Sequence, residues 1–174
     1  MDSLTQIALG AAVGEAVAGK KAGNKAVLWG AVLGTVPDLD VVSALFLSPV
    51  DYIFFHRGFS HSLVFFILSA PVFGWLLRYI NRKETATWKD WTLLSFWVLF
   101  THALLDCFTS WGTQLFWPLD YRVAFNSIFI VDPLYTLPLL VTVIWMMFYK
   151  RDSSFRRRLN YAGLILSTCY LTGT

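Results

Sequence analysis

Three histidines stand in this chain, and each keeps polar company inside an otherwise apolar sequence. Two lie in His56-Arg57-Gly58-Phe59-Ser60-His61-Ser62 and the third in Thr101-His102-Ala103-Leu104-Leu105-Asp106. The segment Pro37-Asp38-Leu39-Asp40 adds two carboxylates. Ionisable groups cost several kcal/mol at bilayer depth and seldom sit there without a task. Imidazoles and carboxylates together form a donor set for a divalent metal. Zinc, manganese or iron so bound acidifies a water and polarises a phosphoryl or acyl oxygen.

The spacings make separate predictions. His102 and Asp106 are four apart, so a helix places them on one face about a turn apart. They can ligate one ion, or satisfy each other by a hydrogen bond. His56 and His61 are five apart and share no helical face; Gly58 permits a turn, and Ser60 is expected to cap a helix starting near His61. Arg57 is placed to grip an anionic substrate, or a lipid headgroup. Asp38 and Asp40 follow Pro37, and carboxylates two apart can reach one site or bridge two ions; the alternative is a cap for a helix at Val41. Asp40 and Asp120 are candidate bases, Asp120 also reading as a solvated loop acid. Gln6 offers an amide oxygen as a weak ligand or hydrogen-bond partner, Glu15 is expected to pair with Lys20, and Asp132 to cap the helix at Pro133. Asp38, Asp40, His56, His61, His102 and Asp106 exceed one tetrahedral set, so one or two ions are expected, zinc first. The His/Asp mixture excludes a Cys-rich structural zinc.

The elements that must position these groups belong to a membrane protein. Of the 174 residues, 56% are hydrophobic and only 14% charged, against about 25% charged in soluble domains, and the mean hydropathy is +0.56. Runs 61–80 and 131–149 approach the ~20 residues of a spanning helix; run 91–108 is slightly shorter. Segments 3–19 and 25–36 are short, tilted or re-entrant, and carry Gly10/Gly14 and Gly30/Gly34 at the spacing of close helix contact. The expectation is an all-α fold: a single membrane-embedded helical domain over 1–174, with five or six membrane segments. The start, Met1-Asp2-Ser3, lacks the basic region of a signal peptide. Cys107 and Cys169 lie in apolar runs and imply no disulfide framework.

Twelve of the 14 basic residues fall in three loops, at Lys20–Lys25, Arg78–Lys89 and Lys150–Arg158. The positive-inside rule assigns these to the cytoplasm of a multi-pass inner-membrane protein. Loops 37–60 and 109–131 then face the other side with Asp38, Asp40, Asp51, His56 and Asp120, so every acid-plus-His motif converges on one face. The basic pI reads as topology, not nucleic-acid binding. Trp111, Phe116, Trp117 and Tyr121 suit an interfacial belt, or the wall of a site for a lipid-like substrate.

MDSLTQIALGAAVGE, GTVPDLD (34–40), HRGFSHS (56–62) and THALLDCFTSWGTQLFWPLD (101–120) together resemble the YdjM type of bacterial inner-membrane, metal-dependent hydrolase. The resemblance spans most of the chain in the same order. It implies a polytopic membrane protein with hydrolase activity, and carries the metal site over to Asp38, Asp40, His56, His61, His102 and Asp106. Many relatives have Thr-His near the start where this chain has Thr5-Gln6, which weakens Gln6 as a ligand. Longer relatives continue into a soluble C-terminal region, in keeping with the stop at Thr174 inside an apolar run.

The function expected is hydrolysis of a phosphoester or other ester of lipid or envelope material at the non-cytoplasmic face, with membrane lipid and an anionic small molecule or lipid as partners. The alternatives are a transporter or structural metal site and, more weakly, a metal-free lipid phosphatase with a histidine nucleophile. For the last, the arginine such phosphatases carry six residues before the HxxxD histidine is replaced by Phe96.

Overall fold

Asp2 opens the first helix by accepting from the Thr5 amide at 3.0 Å, and Lys20 and Lys21 end it where cations favour the helix dipole. The computed structural model describes residues 1–48, 52 and 56–174; Asp51 lies outside them. The described residues form six α-helices and no named strand: α1 (Ser3–Ala22), α2 (Asn24–Leu33), α3 (Leu63–Ile80), α4 (Trp88–Cys107), α5 (Pro133–Met146) and α6 (Ser154–Gly173). The connection from α2 to α3 holds two 3-10 segments, Pro37–Leu45 and Phe59–His61.

The helices pack as antiparallel pairs, α1 with α2, α3 with α4 and α5 with α6, and α1 also touches α4, α5 and α6. Gly23 turns α1 into α2 at φ +57°, a conformation that costs glycine little. The two helices then meet backbone to backbone. A Cβ on Gly10 would lie 2.3 Å from the Gly30 carbonyl oxygen, and one on Gly30 would lie 2.2 Å from that of Gly10. The paired glycines therefore do what their spacing predicts.

Helix α3 starts two residues later than expected. Ser62, not Ser60, takes the extended N-cap conformation and accepts from the Phe65 amide at 3.2 Å. Glu15 also departs from expectation. It leaves the exposed Lys20 and instead takes a bidentate pair from Arg156 of α6, both bonds 2.6 Å. Guanidinium geometry fits two carboxylate oxygens at once, which a lysine ammonium does not. Asp132 caps α5 as expected, accepting from the Leu134 and Tyr135 amides.

Among the described residues, two helical stretches, Asn24–Leu45 and Leu63–Ile80, are long and apolar enough to cross a membrane, and Pro133–Met146 is a shorter apolar helix. On α3, Ile67, Leu68, Val72 and Trp75 all point outward, the pattern of a helix solvated by hydrocarbon. The three basic loops gather at one end of the bundle. There Lys21 pairs with Asp90 at 2.7 Å, Lys25 with Glu84 at 2.9 Å and Arg151 with Glu84 at 3.3 Å. Lys25, aided by Arg151, holds the Glu84 carboxyl below the usual carboxylate range. The histidines lie toward the opposite ends of the same helices.

Candidate metal centre

Asp38 and Asp40 enter the site from a 3-10 segment started by Pro37. At about three residues per turn, positions two apart point in different directions. Asp38 turns toward His61 and His102, Asp40 toward His56 and Ser60. Helix α4 supplies His102 and Asp106 from one face, and the 3-10 turn before α3 supplies His61.

Four atoms face one point. The Nε2 atoms of His61 and His102 are 3.2 Å apart. Asp38 Oδ1 and Asp106 Oδ2 each lie 3.5 Å from both. The four ligating groups lie within 4.8 Å of one another. A tetrahedral ion with bonds of 2.0–2.1 Å has ligand–ligand edges of about 3.3 Å. Five of the six edges are thus close to what such an ion requires.

The hydrogen bonds on the far sides of the rings set which nitrogen is basic. His102 Nδ1 donates to the Gly34 carbonyl at 2.7 Å. His61 Nδ1 lies 3.0 Å from Ser60 Oγ, whose own hydroxyl donates to Asp40 Oδ2 at 2.9 Å. Both Nδ1 atoms therefore carry a proton, and in the neutral rings both Nε2 atoms direct a lone pair inward. Two lone pairs 3.2 Å apart repel unless a cation lies beside them. Asp106 adds to the demand. Its Oδ1 contacts the Met1 amino group and accepts from Gln6 Nε2 at 3.2 Å, while Oδ2 is buried with no hydrogen-bond partner among the described residues. Buried polar atoms are nearly always satisfied, so this orphan and the paired lone pairs fit a divalent cation.

Asp40 and His56 lie beside this quartet, not in it. Asp40 Oδ1 is 2.8 Å from His56 Nδ1, and Oδ2 accepts from the Arg57 amide at 3.0 Å as well as from Ser60. His56 stacks on Tyr52 at 5.3 Å. Arg57 is buried and sits at φ +60°, a conformation most residues avoid. Its amide bond to Asp40 and the Gln114 amide donating to its carbonyl at 3.0 Å hold it there. The guanidinium donates to Thr109 Oγ1 at 3.0 Å and brings Nε within 3.6 Å of Asp106 Oδ2. Asp120 is exposed, accepting from Gln114 Nε2 at 3.2 Å. Tyr52, His56, Arg57, Trp111 and Ile130 line a cavity of about 220 Å³ at this edge of the site.

Sequence reasoning missed Gly34, Ser60 as a relay, and Thr109. Gly34 had a signal: it caps the end of α2, where the last carbonyls lack helical partners and are free to accept.

A sequence profile of the YdjM inner membrane protein family matches residues 1–174. The chain belongs to that family. Inner membrane protein YbcI of Escherichia coli (strain K12) is 32% identical to it over 119 residues, which is 66% of this chain. The match spans 64% of the length of that curated relative. No solved structure matches the chain. The resemblance drawn from GTVPDLD, HRGFSHS and THALLD therefore holds, and for this YdjM-family member the inner-membrane assignment follows from family and relative together.

The outer position of Asp40 has a measurable consequence. Groups that orient a ligand typically change metal affinity 10- to 100-fold, about 1–3 kcal/mol. Asp40→Ala is expected to keep the ion at saturating metal but to bind it about 10- to 100-fold more weakly in competition with a chromogenic chelator. A complete loss of binding would make Asp40 a direct ligand instead.

Proposed function

We propose that this protein is a membrane-bound, metal-dependent hydrolase that cleaves a phosphoester or related ester of lipid or envelope material. The observation that carries this reading is the quartet with one open side. His61, His102 and Asp106 side chains are at most 1% exposed, whereas Asp38 is 25% exposed. Structural metal sites are closed, and catalytic ones keep an accessible position, so this reading requires room for a water beside the four side chains, on the exposed Asp38 side. Asp38, His61, His102 and Asp106 would hold one ion, zinc first among the candidates. Such an ion supplies Lewis acidity to a water and to a phosphoryl or acyl oxygen.

The protein's own groups divide the remaining work. Arg57, at the wall of the cavity beside the quartet, offers its guanidinium to the anionic group of the substrate. His56 lines the same cavity, and Asp40 fixes its Nδ1 side, as a carboxylate orients a proton-transferring imidazole. In the net reaction the water oxygen joins phosphorus, the ester P–O bond breaks, and the water proton ends on the leaving oxygen. His56 is the group placed to carry that proton. This replaces Asp40 or Asp120 as the base, since Asp40 is taken up by His56, Ser60 and the Arg57 amide, and Asp120 sits in the exposed loop beside Gln114. Five or six membrane passages with the basic loops in the cytoplasm would turn the site to the non-cytoplasmic side, as the positive-inside rule directs.

The burial of three ligands favours a second reading, a structural ion that clasps the bundle. Detergent-purified protein separates the two. A hydrolase is expected to contain about one equivalent of transition metal, to hydrolyse a soluble aryl phosphoester, and to lose that activity with a chelator. His56→Gln is then expected to keep its metal while the rate falls about 10²- to 10⁴-fold, the usual worth of a general acid–base group. Chelation that unfolds a protein inactive from the start would establish the clasp. Wild type that stays metal-free after reconstitution would overturn both.

A further inference from the structure

The cavity beside the quartet shares a wall with a second hollow, and the chain leads on from that hollow to a third. Ile130 lines the cavity together with His56 and Arg57, and also lines the second hollow, of about 530 Å³, which includes Ser110, Asn126 and Ser127. Two residues beyond Val131, the last residue lining that hollow, Pro133 begins a third, an apolar groove of about 400 Å³. Leu134, Leu137 and Val141 of α5 and Leu166 of α6 form its walls, and these side chains point outward from the bundle. The polar groups of the linings differ in turn: a guanidinium and an imidazole beside Tyr52, Trp111 and Ile130 in the first, hydroxyls and an amide beside Ile128, Phe129, Ile130 and Val131 in the second, and a single hydroxyl amid hydrocarbon in the third. In the middle hollow the Ser127 hydroxyl is buried and lacks a hydrogen-bond partner among the described residues. A buried hydroxyl left unpaired is costly and marks a place where a ligand oxygen can bind.

We propose that these hollows form one track for a phospholipid. Its anionic phosphate lies at Arg57, its ester neck at Ser110 and Ser127, and one acyl chain lies between α5 and α6. This rests on the hydrolase reading and names its substrate class: a membrane amphiphile, for which a soluble aryl phosphoester serves only as a surrogate. The charge of Arg57 suits the phosphate, the orphaned hydroxyl suits an acyl ester oxygen, and the groove offers a hydrocarbon chain only apolar contacts apart from Thr142. Arg122, which donates to the His56 carbonyl at 3.0 Å, adds a second positive charge to the head end.

The test is photo-crosslinking of the full chain in phosphatidylcholine nanodiscs. Phosphatidic acid with a diazirine in its acyl chain is compared with phosphatidylcholine carrying the same modified chain, and labelled peptides are mapped by mass spectrometry. The track predicts that the anionic probe labels Pro133–Thr142 and the Leu166 region at least about fivefold more than the neutral probe, a preference worth about 1 kcal/mol. Filling the groove with Leu137→Trp and Val141→Trp is expected to abolish that preference while bound metal stays unchanged. Equal labelling by both headgroups would mean ordinary bilayer contact and would overturn the track. Because the readout is binding, metal-dependent hydrolysis of a soluble phosphoester without headgroup-dependent labelling would remove the track alone. Labelling without hydrolysis would remove only the reaction.

Discussion

His102→Ala is expected to lose the bound metal, with affinity falling by more than the 10- to 100-fold that outer groups command. The substitution removes one of four donors. It also leaves Asp38 and Asp106 facing each other across the site without the imidazole between them, and it frees the Gly34 carbonyl that His102 holds at 2.7 Å. Metal affinity at a site absent from the unfolded chain is also folding energy. The wild type should therefore melt at a higher temperature with metal than with chelator, and the variant should show no such difference. Elemental analysis beside thermal unfolding in detergent measures both. His56→Ala is the control that should retain the ion, because His56 contacts Asp40 outside the quartet. A His102→Ala protein with full metal content would refute the quartet as the site.

The second large effect lies nearer the basic end. Glu15 and Arg156 side chains are each 2% exposed and joined by two bonds of 2.6 Å. Arg156 also donates to Asn24 Oδ1 at 2.7 Å and to the Tyr149 carbonyl at 3.0 Å, so one guanidinium ties α1, α2 and α6. Arg156→Ala strands a buried carboxylate and is expected to cost about 3–5 kcal/mol. Replacing both partners by apolar groups of similar volume, Glu15→Leu with Arg156→Met, removes the unpaired charge and should recover most of that loss. Denaturant titrations in detergent give the comparison. A single variant no less stable than the double would mean that the pair is not buried in the membrane-embedded protein.

The helices and half of the site were legible because each depended on one local regularity. His102 and Asp106 needed only the four-residue repeat of an α-helix, and the α1/α2 contact only the glycine spacing. The division between Asp38 and Asp40 was hidden, because both residues suit a ligand and only the 3-10 backbone separates their directions. His56 and His61 were likewise equivalent by type. A turn of the chain sends one against Asp40 and the other against His102. The Glu15 partner was misread because Lys20 is near in sequence, while Arg156 lies 141 positions away. The choice was settled by the packing of α6 against α1, which no local pattern encodes.

The order of the four ligands along the chain has a consequence for biogenesis. Asp38 precedes α3, His61 stands at its entrance, and His102 and Asp106 end α4, so the quartet closes only after residue 106 has been synthesised and α3 and α4 have paired. Until then the nascent chain carries isolated acids and imidazoles that bind metal weakly. If the quartet holds an ion as proposed, loading would follow insertion, and the cation would arrive from the compartment that these ends of the helices face.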